Sequence, residues 1–407
     1  MEPANTVESL LAAVEQALIV TFGGPVQLDR EQVLRGSDRS RVFRCRILEG
    51  PVGIPTSVIV KHVQGDAEHP YTSDDAPPFS PAWRFFNDWT GAQFLSAVSA
   101  PGASLPPVCP RFYGGDRAKG FILLEDFGEG ETLADLLQGD DPARAEEGLL
   151  ALAATLGRMH ATTVGRAAEY RRLREALEGR FAEEPAPSGP TYPKLREGCA
   201  AIDVALSSSS EAALEQVAAS MRDPGPFLAY THGDPCPGND RCAGGSLRLF
   251  DFEFGAFRHA LHDGVYGRVP FPTCWCVNRL PEEIPPRMEA VYRAELVKGC
   301  PEAADDTLFH GAVVEAAAHW ILDTTGWHLS NALKEDSEWG IATVRQRLLL
   351  RLDNLAALTE EFGHLESLAP TARDIAARLR ALWPPEADQM PLYPAFRKES
   401  LPRGSAA

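Results

Sequence analysis

The chain has 407 residues, of which 44% are hydrophobic and 24% are charged, and its formal net charge is −18. This composition is typical of a water-soluble globular protein and excludes a collagen, a coiled coil or wholesale disorder, while the length predicts two or three packed units. The excess of carboxylates argues against binding to nucleic acid, because a polyanion would be repelled. The same excess suits a cationic small substrate, and it equally suits plain solubility.

The N-terminal region has no pattern typical of export. Its first basic residue is Arg30, and Glu2, Glu8 and Glu15 stand where a signal or transit peptide would need positive charge. The apolar stretch at 148–157 is well short of the roughly 20 residues that a membrane span requires. We therefore expect a cytoplasmic protein that has neither a membrane nor a nucleic acid as its partner.

The first 127 residues read as a small α+β lobe. Apolar spacing predicts an amphipathic helix over 6–22 and another over 80–98. Three further segments have strand composition, and turn-prone residues separate the first two, which indicates an antiparallel sheet. These segments are 33–47, 57–63 and 121–127.

Beyond residue 128 the pattern becomes mostly helical, first over 143–163 and again from about 305 to 383. We expect a helical lobe over 128–385 and an irregular, proline-rich tail over 386–407.

The stretch THGDPCPGND at 231–240 concentrates polar residues between two hydrophobic runs. Asp234 and Asn239 are followed by Asp251, and 242–245 resembles a hairpin turn that would bring Asp251 to face the other two. Phosphoryl transfer from ATP needs one carboxylate to accept the proton of the attacking hydroxyl, and an amide plus a second carboxylate to hold Mg²⁺. The alternative is a polar turn in which Asp and Asn cap the backbone.

The order H-G-D-x-x-x-x-N, then D-F-E, resembles the aminoglycoside phosphotransferase and choline kinase-like family. The resemblance implies an α+β, protein-kinase-like bilobal fold with a small antiparallel-sheet N-lobe and a larger helical C-lobe, and the cofactors ATP and Mg²⁺. Asp234 would then be the catalytic base, His232 would hold the loop, and Asn239 and Asp251 would bind the metal. One departure is Cys236, because relatives have His at that position.

Residues in the N-terminal part match the family in chain order. Lys61 ends a strand and resembles the lysine that pairs with the α- and β-phosphates, although a lysine there is more often solvated. Asp88 aligns with the helix acid that pairs with that lysine, where Glu is usual, and an exposed helix acid is the alternative. The segment from Leu124 to Phe127, with Glu125 and Phe127 as candidates, resembles the hinge whose backbone meets adenine, and an ordinary short strand that enters a glycine-containing loop is the alternative.

Two serines and two further residues complete the set of candidates. Ser37 and Ser40 lie in a short polar loop between strands, where relatives cover the phosphates. Asp263 aligns with a residue that holds the active-site loop, with a helix N-cap as the alternative, and His160 aligns with a structural position.

The 8 cysteines are too sparse for a disulfide scaffold in a chain of this length. Cys274 and Cys276, taken with Cys236 and Cys242, also lack the paired spacing of structural zinc sites. We expect reduced thiols.

The sequence therefore predicts a phosphotransferase that moves the γ-phosphate of ATP to a hydroxyl of a small molecule held by the helical lobe. The acceptor would be aminoglycoside-like, choline-like or another alcohol. The alternative is a nucleotide-binding protein of the same fold that has lost catalysis. A protein kinase is disfavoured, because the glycine-rich G-x-G-x-x-G loop is missing.

Overall fold

A computed structural model describes residues 4–36, 40–65, 70–74, 76–98, 107–178, 192–243 and 246–397. The helices and strands of the first part are α1 (Ala4–Phe22), β1 (Gln27–Gly36), β2 (Ser40–Glu49), β3 (Ser57–Val63), α2 (Pro81–Val98), β4 (Phe112–Asp116) and β5 (Phe121–Glu125). They are followed by α3 (Leu133–Gln138), α4 (Pro142–Thr163), α5 (Ala167–Glu178), α6 (Pro193–Ala201), α7 (Ser208–Arg222), β6 (Leu228–Thr231), β7 (Asp240–Ala243), β8 (Ser246–Leu249) and β9 (Ala256–His259). The last elements are α8 (Leu261–Gly264), α9 (Ile284–Leu296), α10 (Asp306–Ala332), β10 (Glu338–Trp339), β11 (Ala342–Thr343), α11 (Val344–Phe362) and α12 (Leu368–Leu382).

The chain forms two compact units. Unit 1 contains the described residues within 1–130, 165–185 and 248–256, and unit 2 contains the described residues within 131–164, 186–247 and 257–407.

Unit 1 is built on an antiparallel sheet with the strand order β1-β2-β3-β5-β4. Helix α1 covers one face, because Leu10, Val14 and Leu18 recur at helical spacing on one side of it. They pack against alternate residues of three strands, since successive strand side chains point to opposite faces. These residues are Phe43, Cys45, Val58, Val60, Phe121 and Leu123.

The elements predicted from the sequence are largely confirmed, but the first β-rich segment contains two strands. The predicted helix over 6–22 is α1, and the predicted helix over 80–98 is α2. The segment at 33–47 covers the end of β1 and most of β2, which pair with each other in antiparallel register. Cys242 and Ala243 of the hairpin turn predicted at 242–245 are the last residues of β7, which pairs with β8, and residues 244–245 lie outside the described residues.

Unit 2 is mostly helical, and α4 packs closely on α9. A Cβ atom on Gly157 would lie 2.5 Å from the carbonyl oxygen of Tyr292, so only glycine permits this spacing of the two helices. Helix α10 has buried residues on every side, which is typical of a helix at the centre of a helical unit. None of the described helices has the length and apolar character needed to cross a membrane.

His319 of α10 is buried, and its Nδ1 lies 3.0 Å from the hydroxyl oxygen of Tyr192. Burial lowers the pKa of His319 to about 3, and the nearby residues His262, His259 and Arg258 add to this effect. The ring therefore stays neutral in the folded protein under conditions in which an unfolded chain would protonate it.

We expect His319→Gln to change how stability depends on pH. Because the folded-state pKa lies below the unfolded value of about 6.5, the unfolded state gains a proton first, and the free energy of unfolding falls as pH decreases from 6.5. Between pH 6.5 and 5.5 the free energy of unfolding of the unmodified protein should fall by about 1 kcal/mol more than that of the variant. Urea unfolding of both proteins at several pH values measures this difference, and parallel curves would contradict it.

Candidate active site

The loop at 232–239 connects β6 to β7 in unit 2 and closes on itself through hydrogen bonds. The backbone N–H of Cys236 donates to the carbonyl oxygen of Asp234 at 2.7 Å, and that of Asn239 donates to the carbonyl oxygen of Cys236 at 2.8 Å. The buried His232 accepts the N–H of Asp234 on its Nδ1 at 3.3 Å. The loop is therefore a compact turn, and the contact of His232 supports it from inside.

Both carboxylate oxygens of Asp234 accept hydrogen bonds. The Thr273 hydroxyl donates to Oδ1, and Nδ2 of Asn239 donates to Oδ2 at 3.2 Å. Tyr266 lies behind Thr273, with its hydroxyl oxygen 3.0 Å from Oγ1 of Thr273. Thr273 was not among the residues predicted from the sequence, because no motif marks it and it is 39 residues from Asp234.

Asp263 holds the start of the loop. Its fully buried carboxylate accepts the backbone N–H of His232 at 2.5 Å and that of Gly233 at 3.1 Å. Burial alone would raise the pKa of Asp263, but contacts at 3.5 Å with His160 and His262 outweigh it, and the pKa lies well below its usual range. The carboxylate is therefore ionised. The sequence left open whether Asp263 holds the loop or caps a helix, and the structure shows that it holds the loop.

A disulfide bond joins the loop to a later segment, since Cys236 is bonded to Cys274 with their Cα atoms 5.2 Å apart. The expectation of reduced thiols is therefore wrong for these two residues. It holds for the neighbouring Cys242 and Cys276, which are unpaired. The spacing of the cysteines could not show this bond, because it depends on tertiary packing across 38 residues.

In unit 1, Lys61 projects from β3 on the face opposite to the buried Val58 and Val60, as the alternation of a strand requires. Its Nζ lies 2.6 Å from Oδ2 of Asp88 and also contacts Oδ1 of Asp251. Burial opposes the charged form of Lys61, but the neighbouring carboxylates outweigh it and raise the pKa of Lys61 above its usual value. The ammonium group therefore stays charged.

Carboxylates outnumber cations around Lys61. Burial raises the pKa of Asp88 and of Glu253, and the Asp251 carboxylate raises both further. Arg84 lies 3.7 Å from Glu253, so the three carboxylates have two cationic neighbours. Asp251 also has φ of 72°, a left-handed conformation that is uncommon for a residue with a side chain, and the N–H of the next residue donates to Asp88 at 2.8 Å.

A cavity of about 430 Å³ opens beside this cluster in unit 1. Ser40 lies on its wall together with Lys61, Asp88 and Glu253. Apolar residues of the segment 77–81 line the same cavity. Ser37, the other serine predicted for the phosphate loop, lies outside the described residues.

The predicted hinge begins at the end of β5, and its side chains contact the protein itself. Asp126 accepts hydrogen bonds from Nε of Arg44 at 2.6 Å and from the hydroxyl of Ser57 at 2.6 Å. Glu125 accepts from Nη1 of Arg248 at 3.0 Å, and the same guanidinium lies 5.2 Å from the ring centre of Phe127. The backbone N–H of Glu125 also donates to the carbonyl oxygen of Arg111, at 2.8 Å.

The proposed metal ligands offer donors that suit Mg²⁺. Asp251 has a carboxylate that remains 31% exposed, and Asn239 has a carbonyl oxygen in addition to the Nδ2 that it donates to Asp234. Hard oxygen donors of this kind are those that Mg²⁺ prefers. The surplus of carboxylates around Lys61 also favours a divalent cation, which would offset the negative charge.

The model of the phosphotransferase enzyme family matches residues 91–295, which is half of the chain. The chain belongs to this family. The predicted α+β, protein-kinase-like fold class is therefore confirmed, and the chain is a phosphotransferase. No curated protein matches the sequence.

Several solved structures are similar to this chain. A choline/ethanolamine kinase family protein from Mesorhizobium loti is 16% identical, with coverage of 90% of this chain and 99% of that one and a TM-score of 0.42. A putative aminoglycoside phosphotransferase from Ralstonia eutropha is 12% identical, with coverage of 90% and 98% and a TM-score of 0.44. The ADP-bound aminoglycoside phosphotransferase APH(2'')-Ib is 12% identical, with coverage of 91% and 99% and a TM-score of 0.41. The family match, and not these scores, supports the assignment.

We expect Asp263→Asn to destabilise the loop at 232–239. The amide that replaces one carboxylate oxygen cannot accept a backbone N–H, so the variant loses a hydrogen bond to an ionised group and should lose about 2–3 kcal/mol in the free energy of unfolding. Urea denaturation measures the change. Asp374→Asn, at an exposed position of α12, is the control and should unfold like the unmodified protein. Equal stability of both variants would contradict the role of Asp263.

The ion pair between Lys61 and Asp88 generates a further prediction. Lys61→Met leaves buried carboxylates without their cation and should cost about 3–5 kcal/mol in the free energy of unfolding. The double variant Lys61→Met/Asp88→Leu should recover part of this loss, because it removes the unpaired Asp88 carboxylate, whereas Asp251 still lacks its cation. Additive losses in the double-mutant cycle would show that the pair is not coupled.

Proposed function

We propose that the protein transfers the γ-phosphoryl group of ATP to a hydroxyl of a small molecule in an Mg²⁺-dependent reaction. The observation that supports this most is the state of Asp234. Two hydrogen bonds, from Thr273 and Asn239, orient its carboxylate, and the loop that carries it is held by the ionised Asp263. A carboxylate whose position is fixed in this way suits a general base.

Asp234 would act on the acceptor. It would accept the proton of the acceptor hydroxyl as that oxygen attacks the γ-phosphorus, and ADP would leave in line with the attacking oxygen. Thr273 and Asn239 contribute by fixing the carboxylate, because misplacing a catalytic group by about 1 Å can cost roughly 10²-fold in rate.

Lys61 would hold the phosphates of the nucleotide. Its ammonium group stays charged, it lies on the wall of the cavity, and Asp88 keeps it in position from α2. Ser40 on the same wall offers a hydroxyl to phosphate oxygens, and the backbone at Glu125 and Phe127 would meet the adenine edge. Ser37 remains a prediction for the same loop.

Asn239 and Asp251 would bind Mg²⁺ through their side-chain oxygens. When bound, Mg²⁺ would supply positive charge that offsets the negative charge developing on the phosphate oxygens. Asp251 already neutralises part of the charge on Lys61, so its position also determines where that ammonium group lies.

The acceptor is an alcohol, and we propose an aminoglycoside-like or choline-like compound as its class. The net charge of −18 suits a cationic acceptor. A screen of aminoglycosides, macrolides, choline and other amino alcohols for acceptor-dependent ADP release tests this. Release with neutral alcohols alone would contradict the cationic class.

Asp234→Asn should lower the rate of phosphoryl transfer by about 10²–10⁴-fold, because the amide cannot accept the proton of the hydroxyl. Binding of ATP should be retained, which ATP-induced thermal stabilisation measures. The control is Asp374→Asn, which should turn over normally. Equal turnover of Asp234→Asn and the unmodified protein would reject Asp234 as the base. Stabilisation by ATP without turnover of any acceptor by the unmodified protein would instead favour a binding protein that has lost catalysis.

A further inference from the structure

Three cysteine sulfurs lie together beside the loop at 232–239 in unit 2. Cys236 and Cys274 form the disulfide, and Sγ of Cys276 lies 3.0 Å from Sγ of Cys274. All three residues are buried, and Cys236 is the one with residual exposure, at 7%. The three sulfurs lie within 4.8 Å of one another, so a change in the bonding of one affects its neighbours directly.

The disulfide ties the loop of the proposed base to the segment at 270–276. Cys236 is two residues from Asp234, and its backbone N–H and carbonyl oxygen both form hydrogen bonds of the loop. Cys274 follows Thr273, whose hydroxyl donates to the carboxylate of Asp234. The covalent bond and this hydrogen bond therefore join the same two segments at adjacent positions.

The Cys274 end of the bond is held by two buried arginines of α11. Nη1 of Arg347 donates to the carbonyl oxygen of Cys274 at 2.6 Å. Nη2 of Arg351 lies 3.3 Å from the carbonyl oxygen of Pro272. The segment at 270–276 is thus fixed independently of the disulfide, and breaking the bond releases Cys236 rather than Cys274.

The remaining cysteines argue against a purely structural disulfide. The other six cysteines form no disulfide, so this is not a chain whose stability depends on a framework of disulfides. Its single bond lies at the loop of the proposed base, across 38 residues.

We propose that Cys236 and Cys274 form a reversible thiol–disulfide switch in which the oxidised pair orders the catalytic loop and the reduced pair releases it. In reduction, a thiolate of an external dithiol attacks Sγ of Cys236, the S–S bond breaks, and Cys274 leaves as a thiolate that takes up a proton. The second thiol of the dithiol then attacks its own sulfur in the mixed disulfide and frees Cys236. The dithiol is oxidised by two electrons, and the protein disulfide is reduced by two.

A thiolate metal site is the competing use of these three sulfurs, and the chemistry of Cys276 disfavours it. Burial raises the pKa of Cys276 to about 12, and the Asp240 and Asp234 carboxylates add to this effect, although Arg347 opposes it. A metal ligand must be a thiolate, so the site would have to overcome this preference for the neutral thiol.

The full chain is prepared without reductant, and one half is then treated with dithiothreitol. Thiol titration after denaturation should count 6 thiols before treatment and 8 after it. Reduction should increase hydrogen exchange of the loop amides, lower the melting temperature by about 5 °C and slow phosphoryl transfer about ten-fold. The effect on turnover depends on the proposed function, whereas thiol counting and hydrogen exchange do not.

In Cys236→Ser and Cys274→Ser the loop amides should exchange hydrogen as fast as in the reduced protein. Dithiothreitol should not change this exchange further. Cys276→Ser is the matched control, because it changes the same cluster but leaves the bond, and it should respond like the unmodified protein. A count of 8 thiols without reductant, or reduction that leaves both loop exchange and turnover unchanged, would overturn the switch. So would one equivalent of metal that the reduced protein retains and Cys276→Ser loses. If reduction changes hydrogen exchange of the loop but the protein phosphorylates no acceptor, the proposed function is rejected and the switch is retained.

Discussion

The carboxylate of Asp263 accepts two backbone N–H groups at the start of the loop at 232–239, and the arrangement of this loop depends on it. A buried ionised group is costly unless hydrogen bonds compensate it, and here the compensation comes from the loop backbone and from two imidazoles. The loop and the carboxylate therefore stabilise each other. The side chain of Asp234 has a defined orientation because Asp263 fixes the two residues that precede it in the turn.

In unit 2 one buried carboxylate is surrounded by hydrogen-bond donors. In unit 1, by contrast, one lysine lies among several carboxylates. Lys61 contacts Asp88 and Asp251, and Glu253 lies in the same electrostatic environment. Asp88 is one methylene shorter than the glutamate usual at this position, yet it reaches Lys61 at 2.6 Å. The cluster has more carboxylates than cations. A bound divalent cation would balance this negative charge, and a site that binds a cation together with phosphates should have such an excess.

Local pattern was sufficient for α1, α2, β3 and β5 of unit 1 and for the turn at 232–239, because helix and strand periods and the spacing of Asp234 and Asn239 are short-range properties. It did not separate β1 from β2, and it did not predict β4. It was insufficient for Thr273 and for the bond between Cys236 and Cys274. Both depend on a segment almost 40 residues away, whose position is set by buried arginines of α11. The residues that bear the proposed chemistry could be inferred from the sequence, and the residues that orient them required the tertiary structure.

The glycine at the crossing of α4 and α9 has no side chain to contribute to chemistry, yet it determines how near the two helices lie. Gly157 permits the approach to Tyr292, whose hydroxyl lies 2.8 Å from Nδ1 of His160, and Nε2 of that ring lies 3.5 Å from Asp263. A larger residue at 157 would move the imidazole that faces the carboxylate. Activity would then fall because of a residue outside the loop at 232–239, and a search for inactivating substitutions that is confined to this loop would miss it.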